Sequence, residues 1–364
     1  MELQYQIALT LVDGVGPVLA KNLISYCGSA SEVFKAKRST LLKIPVIGEV
    51  TASAVLAFKD FSKAEAELKF IDKHNIKTYF YASKDYPYRL KSIPDCPVIL
   101  YQLGNADLNP DKIIGIVGTR KPSEYGKNFC EKLIAELTET GVTVISGMAY
   151  GIDICAHKAA LKHQLPTVGV LAHGLDKMYP AEHKKYALEM ALKQGGVVTE
   201  NLSGTIPERE NFPKRNRIVA GLCDALIVIE TARKGGSMIT AELAWEYDRT
   251  LMALPGRNID NNSAGCNYLI KTNRAEMIEN TEDLLQTMRW DAPNKVLPAQ
   301  RALPLDLSKE ESLIWNLLKE KNLMEIDEII SVSSLSSSQA ALTLLDLEFK
   351  GYIKPLPGKR FQLV

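Results

Sequence analysis

The sequence predicts an α/β protein built on an extended Rossmann-like parallel sheet, with a helical domain before it and a winged helix after it. Two observations predict this layout. From Lys112 to about Leu285, continuous apolar runs alternate with amphipathic stretches, which is the pattern of buried parallel strands joined by helices. The segment Trp290–Leu307 holds three prolines and no clear periodicity, and a helical pattern resumes at Ser308.

These changes of pattern divide the chain into four predicted parts. They are an N-terminal helical domain (1–75), a Rossmann-like domain (76–290), a linker (291–307) and a winged-helix-like domain (308–364).

Composition limits the classes of function. The 364 residues carry a net charge of +1, so attraction to a polyanion must come from a local patch. No apolar run approaches the roughly 18 residues that span a bilayer, and Met1–Thr10 does not resemble a secretory signal. The six cysteines are scattered, without a C-x-x-C pair, as expected of reduced thiols in a cytoplasmic protein. The spacing of His157 and His163 does not suit a metal site.

The N-terminal part is predicted to form short helices with two similar turns. Leu9–Gly16 is an apolar segment followed by a glycine turn, and Leu41–Gly48 repeats it with Pro45 where the first copy has Gly14. This is similar to a helix-hairpin-helix or SAM-like domain, whose turn amides can hold a phosphate. A helical packing module that uses glycine for tight turns is the alternative interpretation.

The central part supplies the strands and helices of the sheet. Strands are predicted at Ile76–Tyr81, Val98–Leu103, Ile113–Val117, Val142–Ile145, Thr167–Leu171, Val197–Thr199, Ala225–Ile229 and Leu251–Leu254. Helices are predicted at Lys127–Thr140, Ile154–His163, Ala181–Lys193 and Ile239–Asp248. Ligands of such sheets bind at the carboxyl ends of the strands, so the segments that follow strands are the candidate sites.

The C-terminal part ends in a glycine-turned hairpin after its helices, which predicts a winged helix. A helix that reads the major groove needs polar or basic residues on one face. In the long helix Ser336–Phe349 and just after it, only Gln339 and Lys350 qualify. Contact with another protein is therefore favoured over sequence-specific reading of DNA.

Gly118, Thr119 and Arg120 follow the first parallel strand. The dinucleotide fingerprint G-x-G-x-x-G is absent here. Gly118 permits close approach of a backbone, and Arg120 offers a planar fork for phosphate oxygens. An internal ion pair of Arg120 with a carboxylate is the alternative.

Two further strands end in candidate anion sites. Ser146 and Gly147 begin a glycine-rich segment that can form an anion-binding nest, and Ser146 has no neighbour that would activate it as a nucleophile. After the next strand, Lys177, Lys184 and Lys185 could extend a basic track, or could simply be solvated.

The last two segments combine basic residues with helix starts. In Lys214-Arg215-Asn216-Arg217, the two arginines are two positions apart and do not share a helix face. One is expected to meet the ligand while the other braces the fold. The other segment can contact phosphate through its backbone and hydroxyls, and comprises Lys234, Gly235, Gly236, Ser237 and Thr240.

A row of phosphate clamps without a nucleophile, metal cluster or acid–base pair suits an extended polyanion that is held but not cut. Binding would be salt-sensitive and largely independent of base sequence. Four aromatic residues could stack on bases or could belong to the core: Tyr125, Tyr150, Tyr179 and Phe212.

Taken in order, these motifs resemble the DNA processing protein A (DprA/Smf) family over nearly the whole chain. The resemblance implies a non-enzymatic single-stranded DNA-binding protein without a cofactor. It also implies a homodimer that helps to load the RecA recombinase past single-strand-binding protein and protects DNA during natural transformation (competence).

The family's DNA-binding arginine corresponds to Arg120, and its phosphate-holding turns to the segments named above. Local departures from the family pattern occur at Ala172-His173, Asp248-Arg249 and Asn273–Ala275.

Two other functions remain open. The segments 215–221 and 235–242 are similar to parts of nucleotide phosphoribohydrolases of the "lonely guy" type, but the Pro-Gly-Gly-x-Gly-Thr turn of those enzymes is missing. A regulatory scaffold that acts through its winged helix is the third hypothesis.

Overall fold

The computed structural model describes residues 2–290 and 307–363. It divides into two compact units, Met1–Leu284 and Leu285–Val364. The predicted linker lies outside the described residues except for Leu307, and the three boundaries between the four parts stay a prediction. In the part of the chain that the structure describes, no helix is both long and apolar enough to cross a membrane.

The first unit begins with six helices that enclose a core of their own. They are α1 (Glu2–Thr10), α2 (Pro17–Cys27), α3 (Ala30–Lys35), α4 (Arg38–Leu41), α5 (Glu49–Ala57) and α6 (Ser62–His74).

The two turns of this region have the same backbone conformation, but the residues that correspond to each other are not the predicted ones. Gly14 has φ +74° and Val46 has φ +68°. Each lies two residues before a glycine, Gly16 or Gly48, that caps the next helix. The counterpart of Gly14 is therefore Val46 and not Pro45. A β-branched residue at positive φ is rare, which is why the sequence pattern concealed the match.

The α/β prediction is confirmed by a nine-stranded sheet in the order β1-β2-β6-β5-β4-β3-β7-β8-β9. The strands are β1 (Lys77–Phe80), β2 (Ile99–Gly104), β3 (Ile113–Gly118), β4 (Thr143–Gly147), β5 (Thr167–Val170), β6 (Gly196–Thr199), β7 (Ala225–Ile229), β8 (Thr250–Ala253) and β9 (Glu276–Met277). Strands β3 to β9 are parallel, whereas β2 pairs antiparallel with both β1 and β6.

Helices cover both faces of the sheet. They are α7 (Tyr88–Lys91), α8 (Glu124–Glu136), α9 (Ile152–Lys162), α10 (Lys184–Leu192), α11 (Asn211–Leu222), α12 (Gly236–Glu246), α13 (Ala264–Lys271) and α14 (Thr281–Met288). Val197 and Val198 are neighbours in β6, and they pack in two different hydrophobic clusters, as expected of a strand that is buried on both faces. The helix α11 was expected only as a helix start near residues 214–217, without predicted bounds.

The strand order places the carboxyl ends of β3 and β7 at a switch point. From β3 the chain adds β4, β5 and β6 on one side, and then returns to place β7 on the other side of β3. The loops after β3 and β7 consequently diverge, which leaves a crevice of the kind where open α/β sheets bind ligands.

The second unit confirms the predicted winged helix. Its elements are α14 in part, α15 (Lys309–Lys321), β10 (Leu323–Glu325), α16 (Ile326–Ser333), α17 (Ser337–Phe349), β11 (Ile353–Leu356) and β12 (Arg360–Leu363). Both residues that could have read bases are engaged. Gln339 forms a capping box with Ser336, and Lys350 Nζ lies 2.6 Å from Glu311 Oε1.

Candidate nucleic-acid interface

The loop between β3 and α8 is held firmly at the switch point. Thr119 N donates to the Glu230 carbonyl at 2.6 Å. The Glu230 carboxylate accepts from Ser123 N at 2.8 Å and also from the Ser123 hydroxyl. Because Ser123 caps α8, Glu230 fixes both ends of the loop that carries Arg120. Sequence reasoning missed this role of Glu230, because its partners lie in a loop more than 100 residues away in the sequence.

Gly118 serves the packing beneath this loop. A Cβ at this position would lie 1.9 Å from the Ile229 carbonyl oxygen and 2.6 Å from Ile152 Cγ1. Only glycine lets β3, β7 and α9 approach each other this closely. Packing alone therefore explains why position 118 is a glycine. A contact of Gly118 with phosphate stays a prediction.

Arg120 projects from the loop and is exposed. Its guanidinium carbon lies 5.8 Å from the centre of the Phe212 ring. Within the described residues it forms no ion pair, so the alternative of an internal salt bridge is not supported.

Two aromatic rings accompany Arg120. Tyr179 meets Phe212 edge to face, with 6.1 Å between the ring centres. Tyr179 is 48% exposed, which leaves it open to a ligand. Tyr179 N donates to His173 Nε2 at 3.1 Å, and His173 is itself buried. We name Arg120, Phe212 and Tyr179 the aromatic clamp.

The segment after β4 lies inside the protein and corrects two predicted contacts. The Ser146 hydroxyl is buried and donates to the Ile116 carbonyl at 2.5 Å. A Cβ on Gly147 would lie 2.6 Å from Arg215 Nη2 and 2.4 Å from Asp153 Oδ2. Ser146 is therefore a structural residue, and Gly147 leaves room for a buried guanidinium.

Arg215 is the buried cation of this arrangement. It donates to the Val170 carbonyl and faces Asp153. Burial raises the pKa of Asp153, and the charge of Arg215 opposes that rise. Arg215 ties α11 to the ends of β4 and β5, so it positions α11 and is not free to meet a phosphate.

Arg217 also faces inward. Its Nη2 donates to Glu200 Oε2 at 2.5 Å, and its Nε lies 3.5 Å from Asp95 Oδ2. Burial raises the pKa of Glu200, and Arg217 opposes this rise. Both arginines of α11 are thus buried. The expectation that one of them would contact the ligand is wrong.

Apart from Arg120, the exposed basic residues of the predicted set are lysines. Lys214 lies in the first turn of α11, next to the buried pair, and is exposed together with Lys177, Lys184 and Lys234. Lys177 Nζ donates to the Gly204 carbonyl at 3.0 Å, whereas its charged head still reaches solvent. Asn216 is half-buried. As contacts to a ligand these residues remain predictions.

The start of α12 is mostly closed. A Cβ on Gly235 would lie 2.4 Å from Thr231 Oγ1, and the Ser237 hydroxyl donates to the same atom at 2.7 Å. Thr240 is buried. Only Lys234 and Gly236 of this predicted segment are exposed. The Ser237 hydroxyl therefore stabilises the turn, and Thr240 is buried, which corrects their predicted role as phosphate ligands.

The described residues contain no group of three or more His, Cys, Asp or Glu side chains arranged to hold a metal ion. What the site offers is an exposed guanidinium, two aromatic faces and several lysines.

Comparison with known proteins matches this chain to one family. The family model for DNA recombination-mediator protein A matches residues 77–289, and the model for the DprA winged helix domain matches residues 298–359. Protein Smf of Synechocystis sp. is 31% identical over 397 aligned residues, covering 99% of this chain and 98% of the relative. DNA processing protein DprA of Bacillus subtilis is 36% identical, covering 70% of this chain and 88% of the relative.

Two solved structures are similar as well. DNA processing protein A from Streptococcus pneumoniae superposes with a TM-score of 0.67 and 30% identity, covering 78% of this chain and 97% of that one. DNA processing protein A from Helicobacter pylori, whose single-stranded DNA binding mode has been described, gives a TM-score of 0.54 and 32% identity, covering 59% and 96%.

Proposed function

The chain belongs to the DNA recombination-mediator protein A (DprA/Smf) family, and from this premise we propose that it binds single-stranded DNA without regard to base sequence. It is a DNA-processing protein of recombination. The proposal concerns which chemistry its own surface offers to DNA.

The aromatic clamp is the observation that carries the proposal. A guanidinium forms charge-assisted bonds with phosphate oxygens, and exposed aromatic rings stack on bases that are not paired. Arg120 and the half-buried Phe212 provide the two kinds of contact side by side, 5.8 Å apart, and the exposed Tyr179 ring adjoins Phe212. A duplex hides the faces of its bases in the stack, so this combination favours an unpaired strand.

The electrostatics fit an extended polyanion. The net charge of the chain is only +1. Its exposed cations nevertheless lie just after strands of one sheet, or in the first turns of the helices that cover it: Arg120, Lys177, Lys184, Lys214 and Lys234. Each phosphate that is neutralised releases counterions, so affinity should fall steeply with salt.

The biological part of the proposal follows from the family. We propose that the protein acts as a homodimer in the cytoplasm, protects incoming strands during natural transformation and helps to load RecA on DNA covered by single-strand-binding protein. The six cysteines, all unpaired, are compatible with a reducing compartment. No catalytic step is part of this proposal.

Fluorescence anisotropy tests the binding. Labelled oligothymidine and a duplex of equal length are titrated with the full chain at several salt concentrations. We expect preference for the single strand and a steep loss of affinity with salt. Equal affinity for the single strand and the duplex, or no binding of oligothymidine at low salt, would contradict the proposal.

A second assay separates binding from catalysis. The protein is incubated with AMP, and free adenine is measured. Robust release would favour the phosphoribohydrolase instead. RecA loading is tested separately, by following RecA ATPase activity on a strand covered by single-strand-binding protein, with and without this protein.

A further inference from the structure

A cavity of about 960 Å³ opens beside the loop that carries Arg120. Its lining includes Tyr125 from α8, the switch-point residues Ser123 and Glu230, and residues 255–257 and 259–263 of the segment after β8. The clamp residues Phe212 and Tyr179 do not line it. The cavity is therefore a separate feature of the same sheet edge.

The walls of the cavity are fixed before any ligand binds. Asn267 accepts from Gly256 N at 3.1 Å and donates to the Gly256 carbonyl at 2.8 Å. A Cβ on Gly256 would lie 2.1 Å from Ser263 Oγ. The Tyr125 hydroxyl donates to the Pro255 carbonyl at 3.0 Å, which holds the ring in place. A site that is already ordered avoids part of the entropic cost of binding.

The cavity is joined to the clamp through the loop. Asn262, in its lining, donates from Nδ2 to the Lys121 carbonyl at 3.1 Å. Ser123, also in the lining, is three residues from Arg120 in sequence, and three residues span at most about 11 Å. A DNA strand bound at Arg120 can therefore place a neighbouring nucleotide in the cavity.

The chemistry of the lining favours a neutral ring over a phosphate. The Arg257 guanidinium is paired with Asp260, with Nε 2.9 Å from Oδ2, and the Glu230 carboxylate is occupied by Ser123. Each of these charged groups thus already has a partner within the protein. What remains is the half-exposed Tyr125 ring, the exposed Ile259 side chain and the amide of Asn261. Ring faces, apolar edges and amides are the partners of a nucleobase.

We propose that this cavity receives an unstacked nucleobase of the strand that the aromatic clamp holds, and that Tyr125 stacks on it. This proposal rests on the proposed function, because the base comes from bound single-stranded DNA. Bases of any identity have a ring face, so the contact is compatible with sequence-independent binding.

Substitution of Tyr125 is the first test, made in the full chain. Stacking of one base contributes about 1–3 kcal/mol, so Tyr125→Ala should weaken oligothymidine binding about fivefold or more. The matched variant Tyr125→Phe keeps the ring and loses the hydroxyl, and should bind within about twofold of the parent. Tyr26→Ala, which removes an exposed tyrosine from α2, should leave the affinity unchanged.

An oligomer with abasic sites separates the base from the backbone. The parent should prefer oligothymidine to the abasic strand, and Tyr125→Ala should reduce that preference. Free thymidine monophosphate is included as a competitor, because the same ring could come from a mononucleotide. Competition at micromolar nucleotide would assign the cavity to a free nucleotide and overturn the proposal.

Photocrosslinking of the unsubstituted protein does not depend on the folding of a variant. Oligomers with 5-iodouracil at single positions are crosslinked, and the sites are mapped by mass spectrometry. Attachment at Tyr125 or in the segment 255–263 supports the cavity. Attachment only at Phe212 or Tyr179 overturns the cavity while leaving the proposed function intact, whereas no binding of any oligomer means that the proposed function itself has failed.

Discussion

The guanidinium carbon of Arg120 lies 5.8 Å from the centre of the Phe212 ring, although the two residues are 92 positions apart in the sequence. Arg120 follows β3, and Phe212 lies in the first turn of α11. This contact places a cation and an aromatic face at one point of an exposed edge.

Arg120→Ala should lower the affinity for labelled oligothymidine by about tenfold or more, because a charge-assisted phosphate contact contributes about 1.5–3 kcal/mol. Anisotropy at moderate salt measures it. Arg38→Ala removes an exposed arginine from the N-terminal helices and is the control. An unchanged affinity for Arg120→Ala would exclude this residue from the interface.

Phe212→Ala should weaken binding about fivefold or more through loss of stacking, and Phe212→Tyr should not. The double variant with Arg120→Ala should lose less than the sum of the two single losses, because a shared cation–π contact of about 0.5–1 kcal/mol is removed by either change. Strict additivity in the anisotropy data would show that the two residues act independently.

Substitutions of Lys214 and Arg217, which are three positions apart, should have different effects: the first on DNA affinity, the second on the free energy of unfolding. Lys214→Ala removes an exposed charge and should weaken DNA binding while the urea midpoint stays constant. Arg217→Ala leaves the Glu200 carboxylate without its partner and should cost about 3 kcal/mol of unfolding free energy. If Arg217→Ala is as stable as the parent but binds DNA poorly, its assignment as a brace is incorrect.

Stability should fall as pH decreases from about 6.5 towards 4, because His157 is buried and burial lowers its pKa from 6.5 to about 4. Its Nε2 donates to the Gly147 carbonyl at 2.8 Å, and Nδ1 faces Thr167 Oγ1 at 2.7 Å. The unfolded chain takes up the proton first in this window, so protonation favours unfolding, by about 2 kcal/mol between pH 7 and pH 5. His173, also buried with a lowered pKa, acts in the same direction.

Urea unfolding at both pH values, followed by circular dichroism, measures this change. His157→Asn should be less stable at pH 7 but should lose less between the two pH values than the parent does. An equal loss in both proteins would assign the pH dependence to other groups.

Removal of residues 291–364 should leave the affinity for oligothymidine within about twofold, because α17 contains no basic residue and Lys350, just after it, is paired with Glu311. The same anisotropy assay measures it. A large loss would place part of the DNA contact in the C-terminal unit.

The sequence alone determined the α/β layout and most of the strands. The runs at Ile113–Val117 and Ala225–Ile229 are buried on both faces, so their hydrophobicity is continuous and visible without a structure. Arg120 was also predicted from sequence as a contact to the ligand, because it lies just after a strand whose carboxyl end must lie at the ligand-binding edge.

Only the tertiary structure decided which polar residues of that edge face outward. Ser146, Arg215 and Arg217 have the same local pattern as an anion site, yet each is turned inward to Ile116, Val170 or Glu200. Those partners come from other strands, so no local pattern could reveal them. For the same reason the meeting of Arg120 with Phe212, and the cavity beside Tyr125, exist only once the sheet has brought β3, β7 and β8 together.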